Sequence, residues 1–356
     1  MNLTSFGYKN DGWDLTEIGN LQPTNLLVGK NASGKTRTIR ALQNVTAFMK
    51  GRMVPFADKS FRTRLAFIDS VREGWTMVYT FEIADGKVKH ERLVSGGKTI
   101  LSRESGKAKL YGDVINPPAD KLAVQVRRDR DAYPDVEMLM KWAEGVVAIS
   151  CSDINPYTIV TGLANFINPF TFNDLVRNMS HADKQEVIGM AKHLGYNLTE
   201  IDTVEANSEM KLVAVRERYV KQAVLDFQLS SGMLRVLYVL CFLEYLGRDG
   251  NDSSLLLIDD LCEGLDYSRA TLLGKKVFEV CEECGPQLIV SSNDSFLMDV
   301  TDVRKWQIMR RKNSKIVVLN STKHHDLFRR FRMTGLSNFD LFSSDFIDNY
   351  LKSLEK

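Results

Sequence analysis

The sequence predicts an α/β protein: a mixed, mostly parallel sheet assembled from both ends of the chain, with an antiparallel β-meander and a helical lobe inserted between the two pieces. Three observations lead there. An apolar run, Leu26-Leu27-Val28, enters a glycine-rich loop and then a helix-compatible stretch at 38–49. Strands and helices alternate after residue 229. The sequence between them changes first to period-two alternation and then to a helical pattern.

In order, the N-terminal piece, 1–58, reads as strand, loop, helix. Next, Trp75, Met77, Tyr79, Phe81 and Ile83 alternate with Thr76, Val78, Thr80 and Glu82, the period of a half-buried strand. Asp85-Gly86 supplies a hairpin turn. Segments 87–94, 99–103 and 108–111, separated by Gly96-Gly97 and Ser105-Gly106, continue the meander until Pro117-Pro118, giving a subdomain over 59–134. A helical lobe is expected over 135–228, with Ser180 as the N-cap before 184–194. The C-terminal piece, 229–356, begins with a helix at 231–246 whose Leu234, Leu237, Tyr238, Cys241 and Tyr245 form an apolar stripe. A buried strand at 255–258, a helix at 269–283, a strand at 288–290 and two strands over 306–319 follow. The apolar tail beyond Gly335 either packs back on the core or docks a partner. There is no internal repeat, and the insertion lacks the sustained heptads of a long coiled-coil arm.

With 356 residues, 44% hydrophobic and 26% charged, the chain can bury a sizeable core, which excludes disordered and collagen-like classes. Lys plus Arg is 47 and Asp plus Glu is 45, so there is no global attraction to nucleic acid or membrane. The charges are nevertheless segregated: 304–332 has ten basic residues against one acid, and 249–302 has three against twelve. Segment 87–130 is also basic, eleven against five. Segments 87–130 and 304–332, the latter with Trp306, Phe328 and Phe331 interleaved, are candidates to follow a phosphate backbone; solvated hairpins paired with the acidic region are the equal alternative. Five scattered cysteines suit a reducing compartment, and the lone pair Cys281 and Cys284 reads as two helix positions rather than a zinc site.

Gly29-Lys30-Asn31-Ala32-Ser33-Gly34-Lys35-Thr36 has the spacing GxxxxGK[ST], with a strand before it and a helix after it. Phosphate oxygens need several backbone N–H donors converging at short range; Gly29 and Gly34 permit that approach, and the helix presents its positive end. Lys35 then supplies a point charge to the β- and γ-phosphates, and the Thr36 hydroxyl can ligate Mg²⁺. The strand Leu255-Leu256-Leu257-Ile258 ends in Asp259 and Asp260, at the position where open α/β sheets bind ligands. Asp259 is expected in the metal shell, and Asp260 where a carboxylate orients or deprotonates water. Leu229-Ser230-Ser231-Gly232 opens a helix with hydroxyls and little side-chain bulk, another anion site.

Together these motifs resemble those of ABC-class ATPases, in the soluble branch that includes SMC, RecF and the overcoming-lysogenization-defect (OLD) proteins, often described as AAA-domain ATP-binding proteins. In that resemblance Ser230, Ser231 and Gly232 stand in the LSGGQ-type signature, and Leu261-Cys262-Glu263-Gly264-Leu265-Asp266 stands in the D-loop, with Asp266 matching its aspartate. The matching motifs cover 20–50 and 229–320. The resemblance implies a P-loop NTPase with an ABC-type head, using ATP and Mg²⁺, in which the signature of one protomer caps the γ-phosphate held by the other. Two residues depart from the pattern: Asp260 replaces the usual Glu, and Asn293 the usual switch His. Asn293 can hydrogen-bond a phosphate or water but does not titrate, so it acts at most as a sensor. Asp260 is one methylene short, so unless the backbone shifts or Glu263 contributes, turnover is slow: ~1 Å of misplacement can cost on the order of 10²-fold. The family's Q-loop glutamine, which faces the metal, belongs between meander and lobe; Gln125 is in that place and reads equally as an exposed strand residue.

No nuclease constellation and no TOPRIM domain is visible. The resemblance therefore implies an ATP-sandwiched homodimer, higher assembly left open, that serves a bacterial anti-phage defence or DNA-repair system through a separate effector, a nuclease or toxin. A RecF-like repair ATPase acting on DNA without an effector and a non-hydrolysing nucleotide-sensing scaffold are the rivals. The absence of an NKxD segment argues against a GTPase, and the large insertion argues against a transporter subunit. No basic-then-apolar leader and no apolar run of ~20 residues is present, so a cytoplasmic protein without membrane contact is expected.

Overall fold

The computed structural model describes residues 1–52, 58–69, 71–104, 106–161, 168–205, 211–248 and 253–354. The chain opens with β1 (Asn2–Asn10), β2 (Trp13–Gly19), β3 (Thr24–Val28) and α1 (Lys35–Met49). The meander follows as β4 (Phe61–Ile68), β5 (Thr76–Ala84), β6 (Lys87–Ser95), β7 (Lys98–Glu104), β8 (Lys107–Leu110) and β9 (Asp113–Ile115). Met77, Tyr79, Phe81 and Ile83 of β5 are buried, as the alternation predicts. Asp85 and Gly86 both have positive φ, 52° and 72°, the pairing that a tight primed hairpin turn requires.

Residues 135–228 are less helical than expected. After α2 (Ala123–Val126) and α3 (Pro134–Glu144), the strand β10 (Val146–Ser150) runs parallel to β14 (Leu255–Asp259) and belongs to the core sheet. Then α4 (Pro156–Thr161), α5 (Phe172–Arg177) and α6 (His181–His193) lead to a separate antiparallel sheet of β11 (Leu198–Glu205), β12 (Lys211–Glu217) and β13 (Val224–Leu225). The Ser180 hydroxyl accepts from the Asp183 N–H and caps α6.

The C-terminal piece follows the predicted order. It runs α7 (Ser231–Leu246), β14, α8 (Tyr267–Cys284), β15 (Gln287–Ser291), α9 (Ser295–Val300), β16 (Trp306–Lys312), β17 (Lys315–Leu319), α10 (His325–Arg332), α11 (Asn338–Ser343) and α12 (Phe346–Leu354). Leu341 and Ile347 are fully buried, so the tail packs back on the core.

Among the described residues one sheet has fourteen strands, in the order β10-β14-β15-β3-β16-β17-β2-β1-β4-β5-β6-β7-β8-β9. Its centre explains the continuous apolar runs, because β3, β14 and β15 are covered on both faces. Leu26, Val28, Leu256, Ile258, Leu288 and Val290 point into the layer containing α7 and α8. Leu27, Leu255, Leu257 and Ile289 point into the layer containing α1 and α3. Helix α7 is buried on nearly every side rather than along one stripe: Val236, Val239, Leu240 and Phe242 are also inaccessible, because α5, α6 and α8 surround it.

A buried ion pair fixes the segment after the meander. Arg103 and Glu91, each 1% exposed, lie 3.8 Å apart. Arg103 donates to the carbonyls of Pro117, Pro118 and Lys121, and Glu91 accepts from the Tyr79 hydroxyl and the N–H groups of Ala123 and Val124. A carboxylate under two N–H groups at the start of α2 makes 123–126 a helical turn, not a strand.

Candidate functional site

Backbone sterics build the phosphate loop. A Cβ on Gly29 would lie 2.3 Å from Ser33 Oγ and 2.8 Å from the Met309 carbonyl oxygen, so no larger residue fits. Gly34 has φ 104°, and Ala32 takes a left-handed φ of 63° beside it. Lys35 opens α1, is 5% exposed and donates to the carbonyls of Gly29, at 2.6 Å, and Lys30, at 3.4 Å. Burial pushes its pKa down, opposed by the charges of Asp260 and Asp259. Trp13, Asn31, Ala32, Ser33, Gly34, Lys35, Thr36, Arg37, Arg40, Asp260, Asn293 and Arg311 line a cavity of about 510 Å³ over this loop. Thus most of the residues singled out in the loop, together with Asp260 and Asn293, face one space.

Asp259 lies beneath, 2% exposed at the end of β14. Its Oδ1 accepts from Ser291 Oγ, and its Oδ2, also buried, has no hydrogen-bond partner. Burial raises its pKa most; the Ser291 hydroxyl opposes this, Asp260 adds to it, and Thr36 and Arg40 favour the charged form. An orphaned carboxylate oxygen facing a threonine hydroxyl suits a hard divalent cation, which both groups could ligate. Asp260 takes a left-handed φ of 55°, uncommon without a glycine, and the next residue but one, Cys262, has φ 72°. That turn sends the Asp260 carboxylate to the cavity. Its pKa is raised by burial and by Glu263, and lowered by Lys35 and Arg40.

Gln125 does not belong to this site. Its side-chain amide donates to the carbonyls of Phe48 and Met49 at the far end of α1, about 20 Å along the helix from Thr36. The mid-chain segment that does border the site follows β10, the strand beside β14. There Cys151 N–H donates to the Asp259 carbonyl, and Asp153 lies 3.9 Å from Arg40 and pushes the Asp260 pKa upward. The Asp153 Oδ2 is buried without a hydrogen-bond partner. Sequence reasoning missed Asp153, Arg37, Arg40, Trp13 and Arg311. Asp153 had a local signal, a polar cluster directly after an apolar run, and Arg37 and Arg40 follow the loop within about a turn of Thr36 on α1.

The signature residues lie elsewhere on the chain. Ser230 is exposed at the N-terminus of α7, where its hydroxyl accepts from the Met233 N–H, and Ser231 and Gly232 are half-buried beside it. None of the three lines the cavity over the loop. Arg235, one turn on, donates to the carbonyls of Ile154 and Glu263, tying α7 both to the loop after β10 and to the turn after β14. Glu263 is exposed, and Asp266 caps α8 through the Arg269 N–H while pairing with the Arg269 guanidinium at 2.6 Å.

The basic segments are altered by the fold. Trp306, Phe328 and Phe331 are 0%, 3% and 2% exposed, so they fill the core and cannot stack on bases. Arg304, Lys305, Arg310, Lys323 and Arg329 pair with Asp302, Glu282, Asp348, Glu17 and Asp326. Cys281 packs in the core, and the side chain of Cys284 lies outside the described residues. Among the described residues no helix is long and apolar enough to cross a membrane.

The arrangement is similar to solved SMC heads. One, an SMC head bound to the C-terminal winged-helix domain of ScpA, superposes with a TM-score of 0.57 at 12% identity, covering 92% of this chain and 100% of that one. The SMC head domain from Thermotoga maritima gives 0.50 at 13% identity, over 90% and 99% of the two chains. A head with an extended coiled coil, bound to the C-terminal domain of ScpA derived from Pyrococcus furiosus, gives 0.52 at 11%, over 93% and 99%. The fold is that of an SMC head, an ABC-type ATPase architecture. No protein-family model matches this chain, and no curated protein matches its sequence. In this fold both ends of the chain meet in one sheet, with the phosphate loop on β3 flanked by β15 on one side and β16 on the other.

Proposed function

We propose that the chain is an ATP-binding, slowly hydrolysing homodimeric switch. Gly29 to Thr36 hold the phosphates, Thr36 and Asp259 hold Mg²⁺, Asp260 positions water, and Asn293 senses the γ-phosphate. Bound Mg²⁺ would supply charge neutralisation between the β- and γ-phosphates. The observation that carries the reading is spatial: Asn31 to Thr36 of the cradle and Asp260 line one cavity with Asp259 buried at the same strand end, while Ser230, Ser231 and Gly232 lie off it, free to cap a nucleotide on a second copy. Glu263 and Asp266 would then stand near the dimer contact. The Asp260 side chain, shorter than glutamate, supports slow turnover even with its backbone turned toward the cavity. Because solved heads of this fold bind a ScpA domain, we extend the reading to a separately encoded effector, a nuclease or toxin, in a cytoplasmic defence or DNA-repair system.

Purified chain given Mg-ATP is expected to release phosphate slowly and to double in mass by light scattering. An Asp260→Asn variant should keep the doubled mass while losing phosphate release. A chain that stays monomeric with ATP, variant included, would sink the proposal.

One further observation favours nucleic acid as a partner. On the outer face of the meander, Arg64, which also pairs with Glu17 at 3.2 Å, stands opposite Thr80, and Arg92, Ser102 and Lys109 continue the row on consecutive strands. The three cations are about 10 Å apart, two strand spacings each. Binding through such contacts should weaken steeply between 50 and 200 mM salt, by ~10-fold or more for a few phosphates. Fluorescence anisotropy of a labelled duplex tests this; salt-independent binding, or none, removes it.

A further inference from the structure

The nucleotide reading leaves part of the cavity unexplained. Sheet order sets β15 and β14, with Asn293 and Asp260 just beyond their ends, on one side of β3, and β16, β17 and β2 on the other. The parallel pairings β3/β16 and β17/β2, with β16/β17 antiparallel, bring Arg311 near the end of β16 and Trp13 at the start of β2 to the same edge as the phosphate loop. At ~4.8 Å per strand, β14 lies about 10 Å from β3 one way and β2 about 14 Å the other. A triphosphate whose last phosphate points to Asp260 and Asn293 therefore directs its nucleoside toward β2.

Trp13 is 1% exposed, so a ligand cannot reach its ring. The Arg37 guanidinium lies over it, 5.1 Å from the ring centroid, and Arg37 Nη2 donates to Asn10 Oδ1 at 3.4 Å. Arg37 itself is exposed and lines the cavity, as does Arg311. The indole also braces the loop, since its Nε1 would lie 3.4 Å from a Cβ on Gly34; that buried N–H has no hydrogen-bond partner. A guanidinium is planar, weakly hydrated and stacks well on aromatic faces. Held on an indole from behind and by an amide oxygen at its edge, it loses little further freedom when a second flat group stacks in front.

We infer that Arg37, laid on Trp13, is the base-stacking residue for a purine nucleoside triphosphate in the cradle; this rests on the nucleotide reading above. The base packs on the guanidinium, and the phosphates extend along the loop.

The test compares ATP with inorganic tripolyphosphate, which has the phosphates and no base, by calorimetric titration of the full chain. Arg37→Lys keeps the charge and removes the plane, at an exposed position where folding is not at stake. ATP should bind about tenfold more weakly to Arg37→Lys and to Arg37→Ala. Tripolyphosphate should bind Arg37→Lys as it binds the parent chain. Equal weakening of both ligands in Arg37→Lys would make Arg37 a phosphate contact and overturn the inference, as would unchanged ATP affinity. Should the parent chain bind neither ligand, or bind both regardless of Lys35→Ala, the nucleotide reading falls and this inference with it.

Discussion

Lys35→Ala is expected to lower phosphate release by roughly 10²–10³-fold, the loss typical of one preorganised donor removed from a site of developing charge. The geometry makes Lys35 hard to replace. Lys35 is 5% exposed, its ammonium held against the Gly29 and Lys30 carbonyls, and among the described residues no other lysine lines the cavity. Arg37, Arg40 and Arg311 do line it, but Arg37 and Arg40 are already engaged with Trp13 and Asp153, and Arg311 donates to the Asn313 carbonyl. Thermal stability should change little, because the solvation that this buried cation gives up is offset by two carbonyl contacts and by the charges of Asp260 and Asp259. Phosphate release measured beside a melting curve separates lost chemistry from lost folding. A Lys35→Ala chain that folds and still releases phosphate at the parent rate would show that the cavity is not the site.

The parts of the site that were legible in the sequence are those in which chemistry and fold share a contiguous segment. The loop 29–36 and the acids 259–260 each follow an apolar strand buried on both faces, so motif and element announce each other. Strand β10 was hidden because Val146-Val147-Ala148-Ile149 lies between helices, and a short apolar run looks the same in a buried strand and a buried helix. Gln125 has the residue type expected near the metal, but the site draws on the loop that follows β10, the strand beside β14. Trp13 and Arg311 were invisible for a different reason. They meet only through sheet order, which sets β2 next to β17 although some 300 residues separate them. The aromatic residues of the basic C-terminal segment misled in the opposite direction, since interleaved charge says nothing about which face of a strand or helix is covered.

A mixture of two inactive variants should recover activity if each site is shared between chains. Lys35→Ala destroys the cradle and leaves the signature intact. Gly232→Asp does the reverse: a Cβ there meets only Leu265 and the Gly264 carbonyl at ordinary contact distance, 3.4 and 3.5 Å, so the helix tolerates it. An acid in the first turn of α7 even favours the helix dipole. Its cost falls on the ligand, because the carboxylate would face a phosphate arriving from the other protomer. Each variant alone has no complete site. Mixed one to one, half the dimers are hybrids with one complete site of two, so phosphate release should return to about a quarter of the parent value. The hybrid fraction can be checked by isolating differently tagged dimers in ATP. If hybrids form without recovering activity, or if Gly232→Asp alone matches the parent, cradle and signature do not act across chains, and α7 is a structural helix whose serine only caps its own N-terminus.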